Sequence, residues 1–284
     1  LLRTNQWYKN LVIYLALFLT KGIFNWELLL KTTLGFASLC FISSSYYIIN
    51  DILDLKEDRR HPEKKKRPIA AGEVENGTAF LISVIMMALS LALAYILSLK
   101  FMLFPIALMT SSMLYNLWSR KIAILDIHFI AFNFLLRAVS GTVLVDVYPT
   151  PWLIITIFFI ALFLAVGKRK ADLSVLDKGA LKERKVYSVY DEKLLDMMII
   201  AITAILMLTY NLYTFLAHNK PYPYMMLTIP VVSFVIFRYL YFISINDEIA
   251  RDTHKVFRDK QMLVGFLLWI IISYIAVYHL TEGI

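Results

Sequence analysis

Apolar residues run along this chain in blocks of roughly 20, each long enough to cross a bilayer as a helix, with short polar stretches between them. The blocks lack the strict apolar–polar alternation of barrel strands. One span per block predicts nine helices, over residues 8–21, 28–50, 76–97, 100–118, 122–145, 151–168, 192–217, 223–244 and 261–280. The first is short, which suits a tilted or partly interfacial segment. No linker rich in Pro, Gly or Ser and no low-complexity segment interrupts the pattern. The expectation is an all-α polytopic membrane protein, with residues 1–284 forming a single transmembrane domain.

Composition agrees with the pattern. Apolar residues make up 60% of the chain, against about 45–50% in soluble globular proteins, and the mean hydropathy is +0.66. The net charge of +8 could suggest nucleic acid, but its distribution argues otherwise. Cations crowd the loops after the second, fourth, sixth and eighth predicted helices, while the opposite loops hold only Lys21, Lys31, Lys100 and Lys220. That asymmetry is the positive-inside pattern. It places the rich loops in the cytoplasm, the N-terminus inside and the C-terminus outside. No nucleic-acid partner is expected. The lone Cys40 lies in an apolar run, which excludes an intramolecular disulfide and reads as core. The chain opens on Leu1 rather than Met, so some native sequence is expected ahead of it, and no cleavable signal is visible.

One polar stretch stands out, NDILDLKEDRRHPEKKKRPIAAG at residues 50–72, directly after an apolar run. Asn50, Asp54 and Asp58 are spaced i, i+4, i+8, and Asp51 lies three residues before Asp54. If the preceding helix continues, all four project from roughly one face. Stacked oxygen ligands suit a hard divalent cation, and Mg²⁺ commonly shares such ligands with substrate phosphates. Lys64, Lys65, Lys66 and Arg67 follow closely, placed to face phosphate oxygens. A solvated charged loop that only sets topology is the plainer alternative for any single aspartate here.

Elsewhere, charged residues sit where hydrocarbon penalises them. Arg137 lies deep in the fifth predicted helix and needs a polar interior and an anionic partner, whether a substrate or a carboxylate on another helix. Asp126 and Asn133 precede it on the same helical face, although Asp126 could equally cap the helix start. The sixth helix ends in GKRKADL, with Lys168, Arg169 and Asp172. Lys168 and Asp172 make an i, i+4 surface pair, or Lys168 and Arg169 grip phosphate with the guanidinium as a bidentate donor. If this mouth and the aspartate stretch face each other, they form one central polar cavity open to the cytoplasm. Lys9 in QWYKN is either a snorkelling anchor or a phosphate ligand. Tyr115, Asn116, Tyr187, Ser188 and Tyr190 are either interfacial aromatics and their neighbours or substrate contacts. His61 and His128 have no partners at metal-ligand spacing. No Walker loop, GxSxG, HExxH or paired-cysteine motif is present.

Taken together, these residues resemble the UbiA-type prenyltransferase superfamily, nine-helix membrane enzymes whose first aspartate motif has the form NDxxDxxxD. The likeness is greater to the branch of polyprenyl-phosphate phosphoribosyltransferases. It runs nearly end to end, through QWYKN (6–10), residues 50–72, LYNLWSRK, LD and LLRAVSG within 114–141, ALFLAVGKRKADL (161–173), RYLYFI (238–243) and RDK (258–260). Typical members carry a second aspartate-rich motif after the sixth helix. Here GKRKADL stands in its place, with Asp172 where that branch usually has Glu.

The resemblance implies transfer of a 5-phosphoribosyl group from phosphoribosyl diphosphate to a polyprenyl phosphate lipid in the cell membrane. Mg²⁺ would be held by Asp51, Asp54 and Asp58. Lys9, Asn50, Lys66, Arg67, Tyr115, Asp126, Arg137, Lys168, Arg169, Asp172 and Tyr187 are the candidate substrate-binding residues. Two other readings remain open. One is prenyl transfer from a prenyl diphosphate to an aromatic or lipid acceptor, and the other is transport of a phosphorylated lipid. A homo-oligomer is compatible with either class.

Overall fold

The computed structural model describes residues 1–60, 64–175, 189–216, 223–245 and 247–279. It is helical throughout, with no strand among the described residues. A 3-10 helix at Thr4–Ile13 leads into α1 (Tyr14–Leu19), followed by α2 (Trp26–Leu53), α3 (Leu55–Arg60), α4 (Asn76–Leu97), α5 (Leu99–Leu117) and α6 (Leu125–Leu144). Then come α7 (Pro151–Val175), α8 (Glu192–Leu216), α9 (Ile229–Ser244), α10 (Glu248–Arg251) and α11 (Lys260–Tyr274). Eight helices among the described residues, built on α2, α4, α5, α6, α7, α8, α9 and α11, are long and apolar enough to cross a membrane. They correspond to the second through ninth expected spans. The first expected span, 8–21, is instead the end of the 3-10 helix plus the six-residue α1.

The chain divides into two compact units, Leu1–Leu117 with Leu136–Tyr148, and Trp118–Leu135 with Pro149–Ile284. In the first unit α2 is the central element. Asn25 caps its start by accepting from the Leu28 amide at 3.2 Å. Serines join α2 to α4 in two places: Ser90 Oγ donates to the Ser38 carbonyl at 2.7 Å, and the Ser45 and Ser83 hydroxyls lie 3.0 Å apart. Small residues let helices approach closely, and such bonds need no water to satisfy them. Around this seam Ile13, Leu39, Ile42, Phe101, Leu108 and Leu144 form a buried apolar cluster.

The N-terminal 3-10 segment is fastened along α2. Trp7 Nε1 donates to Ser44 Oγ at 3.0 Å, and that hydroxyl donates to the Leu2 carbonyl at 2.8 Å. On its other side the segment meets α6 at Gly141, where an added Cβ would stand 2.1 Å from the Ile13 carbonyl oxygen. Only glycine permits that approach. It brings Asn10 beside Arg137, one helical turn before Gly141.

In the second unit Val166, Leu195, Ile199, Tyr239, Phe242 and Ile243 are buried together. Asp259 caps α11 by accepting from the Met262 amide at 2.8 Å, and it also takes Arg238 Nη2 at 2.8 Å. One carboxylate thereby satisfies an orphan helix donor and an arginine from α9.

Candidate substrate and metal site

The aspartate segment lies in the first unit, at the end of α2. The helix does not continue straight through it. Asp54 leaves helical geometry (φ −89°, ψ 7°) and α3 restarts at Leu55, although the Asp58 amide still reaches the Asp54 carbonyl at 2.8 Å. The four polar side chains therefore do not act as one set. Asn50 Oδ1 accepts from Asn116 Nδ2, tying α2 to the end of α5. Asp51 and Asp58, one heptad apart, are buried and share one partner: Arg67 Nη1 lies 3.0 Å from Asp51 Oδ1 and 2.5 Å from Asp58 Oδ2. Asp54 is half-buried.

Two further cations approach the pair. Arg3 Nη2 donates to Asp51 Oδ1, with its guanidinium 4.9 Å above the Tyr47 ring, and Lys64 Nζ stands 3.8 Å from Asp58 Oδ1. Lys66 is exposed, while Lys9 and Tyr115 are half-buried. Arg3 was not foreseen. Its signal was a cation ahead of the aromatic QWYKN turn, overlooked because that turn directed attention to Lys9.

The donor set suits a divalent ion shared with a substrate. Asp58 Oδ1 is buried with no hydrogen-bond partner among the described residues, a costly condition that a cation would relieve. Hard oxygen ligands are what Mg²⁺ prefers, and it is usually held by one or two carboxylates together with phosphates. Among the described residues, no three His, Cys, Asp or Glu side chains gather closely enough to hold a metal alone. A diphosphate would have to complete the set.

Arg137 lies in α6 within the first unit. Its Nε donates to Asn10 Oδ1 at 2.8 Å, and Asn10 Nδ2 in turn reaches Cys40 Sγ at 3.3 Å. A cavity of about 10 Å³ adjoins it, lined in part by Ser43, Tyr46 and Ser112. The partner holding Arg137 Nε is thus an amide from the N-terminal segment rather than a carboxylate.

In the second unit α7 runs on through GKRKADL to Val175. Successive residues point to different surroundings. Lys168 is exposed. Arg169 is buried, and its Nη2 lies 2.7 Å from Asp126 Oδ2. Lys170 pairs with Asp196. Asp172 Oδ1 lies 3.6 Å from Arg251 Nε, so it is engaged across to α10. Asp126 is completely buried and is not a helix cap; it also accepts from the Tyr190 hydroxyl at 2.6 Å. That hydroxyl accepts from the Ile124 amide at 2.7 Å, which steadies Ile124 in a left-handed conformation (φ 70°) where a β-branched residue is strained. Burial, and then the bond to Asp126, push the Tyr190 phenol above its ordinary range, so it remains a donor. Tyr187, Ser188 and His61 lie outside the described residues.

Comparison with known proteins places this geometry. The model of the UbiA prenyltransferase family matches residues 10–278, through both units, and the chain belongs to that family. Within it, the chain is 30% identical over 286 residues to the decaprenyl-phosphate phosphoribosyltransferase of Corynebacterium glutamicum, covering 98% of this chain and 85% of that one. It is 27% identical over 281 residues to the protein of the same name from Mycolicibacterium smegmatis, covering 94% and 88%. Among solved structures, a UbiA homolog from Archaeoglobus fulgidus bound to DMAPP and Mg²⁺ matches with a TM-score of 0.72 at 19% identity, over 99% of this chain and 98% of that one. That likeness establishes the fold. A multi-pass membrane protein follows from the family together with the eight apolar helices.

Proposed function

We propose that this protein is a membrane phosphoribosyltransferase that moves 5-phosphoribosyl from phosphoribosyl diphosphate to a polyprenyl phosphate, releasing diphosphate. The observation that carries this reading over prenyl transfer is the state of the carboxylates at GKRKADL. Asp172 is engaged by Arg251, and Asp126, which meets this segment, by Arg169, so the segment presents the exposed Lys168 to a phosphorylated sugar rather than a second carboxylate set to a metal. The names of the near-full-length relatives support it.

In this reading an oxygen of the lipid phosphate attacks C1 of the ribose. The bond from C1 to the diphosphate oxygen breaks, and diphosphate leaves with the electron pair. The attacking phosphate is already ionised near neutral pH, so no strong general base is required. Mg²⁺, when bound, neutralises charge growing on the leaving diphosphate. Asp51 and Asp58 would hold it together with diphosphate oxygens, Asp54 standing outside that pair at the helix break, with Asn50 fixed by Asn116 to orient that end of α2. Arg67 and Lys66 would take phosphate oxygens, with Lys9, Tyr115 and Arg137 supporting the same group. Lys168 would hold a phosphate of the donor, while the buried Arg169–Asp126 pair and Asp172 position the helix that carries it. The loop cations support a cytoplasmic face for this chemistry.

The test is a transfer assay on the purified protein in detergent with Mg²⁺, labelled phosphoribosyl diphosphate and a polyprenyl phosphate. Label should enter the organic phase and be lost with EDTA. Transfer instead from a prenyl diphosphate to an aromatic acceptor would replace this reading with the prenyltransferase one.

A further inference from the structure

Two buried carboxylates, Asp51 and Asp58, are met by three cations, Arg3, Arg67 and Lys64. Asp51 Oδ1 alone accepts from two guanidiniums. We infer that Arg3 and Arg67 keep the aspartate pair in a cation-filled resting state that excludes free divalent metal, so that metal enters only together with a diphosphate. The inference rests on the reading of this segment as the diphosphate site.

The charge balance sets the order of events. An incoming dication meets a pair of carboxylates whose charge is already exceeded by the cations on them, and it is repelled by the same guanidiniums that occupy its ligand atoms. An incoming diphosphate is attracted by those cations. Guanidinium forks match phosphate oxygens at least as well as carboxylate oxygens. Once they turn to the diphosphate, Asp51 and Asp58 are released to the metal that travels with it. Asp58 Oδ1, buried with no hydrogen bond among the described residues and 3.8 Å from Lys64 Nζ, is a ligand atom the metal would take.

Arg3 is held in place by several independent contacts. Its backbone is left-handed (φ 49°), a conformation that a non-glycine residue keeps only when its surroundings enforce it. The Gln6 amide donates to its carbonyl at 2.8 Å, Ser44 holds the preceding carbonyl of Leu2, and Tyr47 lies under the guanidinium. With a quarter of its side chain exposed, it is still able to swing toward an arriving anion. Arg3 is therefore a specificity residue for the metal–diphosphate complex over the bare metal.

The experiment uses Mn²⁺ as the probe and the full chain in detergent, with Mn²⁺ retained by the protein through a spin column counted by its paramagnetic signal. The wild type should retain little Mn²⁺ alone and about one equivalent with inorganic diphosphate present. Arg3→Gln should retain Mn²⁺ without diphosphate, with at least about tenfold higher affinity, and Arg3→Lys should restore exclusion. Equal retention by the wild type with and without diphosphate would overturn the inference while leaving the aspartate segment as a metal site. Unchanged exclusion in a folded Arg3→Gln protein would remove Arg3 from it. No retention by the wild type under either condition would overturn the diphosphate-site reading as well.

Discussion

Arg169 Nη2 lies 2.7 Å from Asp126 Oδ2, and both side chains are almost wholly buried. Such a pair persists because each charge neutralises the other, and removal of one leaves the other stranded. Asp126→Asn and Arg169→Gln should each cost about 3–5 kcal/mol, lowering the thermal midpoint in detergent sharply. The double replacement Asp126→Leu with Arg169→Met should recover much of that loss. Single variants that melt like the wild type would show the pair to be dispensable.

The two units make different demands on a mutation in the charged segments. Lys168 is exposed. Lys168→Ala should leave stability unchanged and raise KM for phosphoribosyl diphosphate by about 10–100-fold, the worth of one charge-assisted bond. Steady-state kinetics at varied donor concentration would show it; a change in kcat alone would not fit the role.

Asp51→Asn and Asp58→Asn should each lower Mg²⁺-dependent transfer by at least about 100-fold, the usual scale for losing electrostatic stabilisation of a leaving group. Gel filtration should still show a folded protein, because Arg67 can bond an amide oxygen. Near-normal turnover by either variant would remove that residue from the metal assignment.

At Gly141 the constraint is steric. A methyl group there would stand 2.1 Å from the Ile13 carbonyl oxygen, which is backbone and has nowhere to go. Gly141→Ala should cost about 1–3 kcal/mol and push the N-terminal segment away from Arg137. A lowered melting temperature, together with new protease sensitivity near residue 13, is the expected result.

Asp259 gives a pH signature. Its bond to Arg238 holds the carboxyl below the ordinary aspartate range. A depressed folded pKa means stability present above the unfolded value, about 3.9, and lost as pH falls through the folded value. The melting difference between wild type and Asp259→Asn should therefore be constant from pH 7 to about 5 and shrink below about 4. A difference that persists unchanged in acid would contradict it.

The helical membrane architecture was legible in the chain because its cause is local. Runs of about 20 apolar residues leave the backbone no option in lipid but internal hydrogen bonding, and eight of the expected spans are helices of suitable length. The aspartate segment was legible as well, since its residue types and spacing are chemical information. Which side chains meet was decided elsewhere. Helical spacing put Asn50, Asp51, Asp54 and Asp58 on one face, but past the break at Asp54 it is Asp51 and Asp58 that share a partner, Arg67, and Asn50 is claimed by Asn116, 66 residues away. Asp126 read equally as a cap until Arg169 and Tyr190 were brought to it from later elements. Arg3 gave almost no signal, because its role arises from an N-terminal segment laid along α2 and wedged against Gly141. Period and composition report what a segment needs; only the packed chain determines which distant residue supplies it, because a buried charge is satisfied by whatever partner the fold carries within a few ångströms.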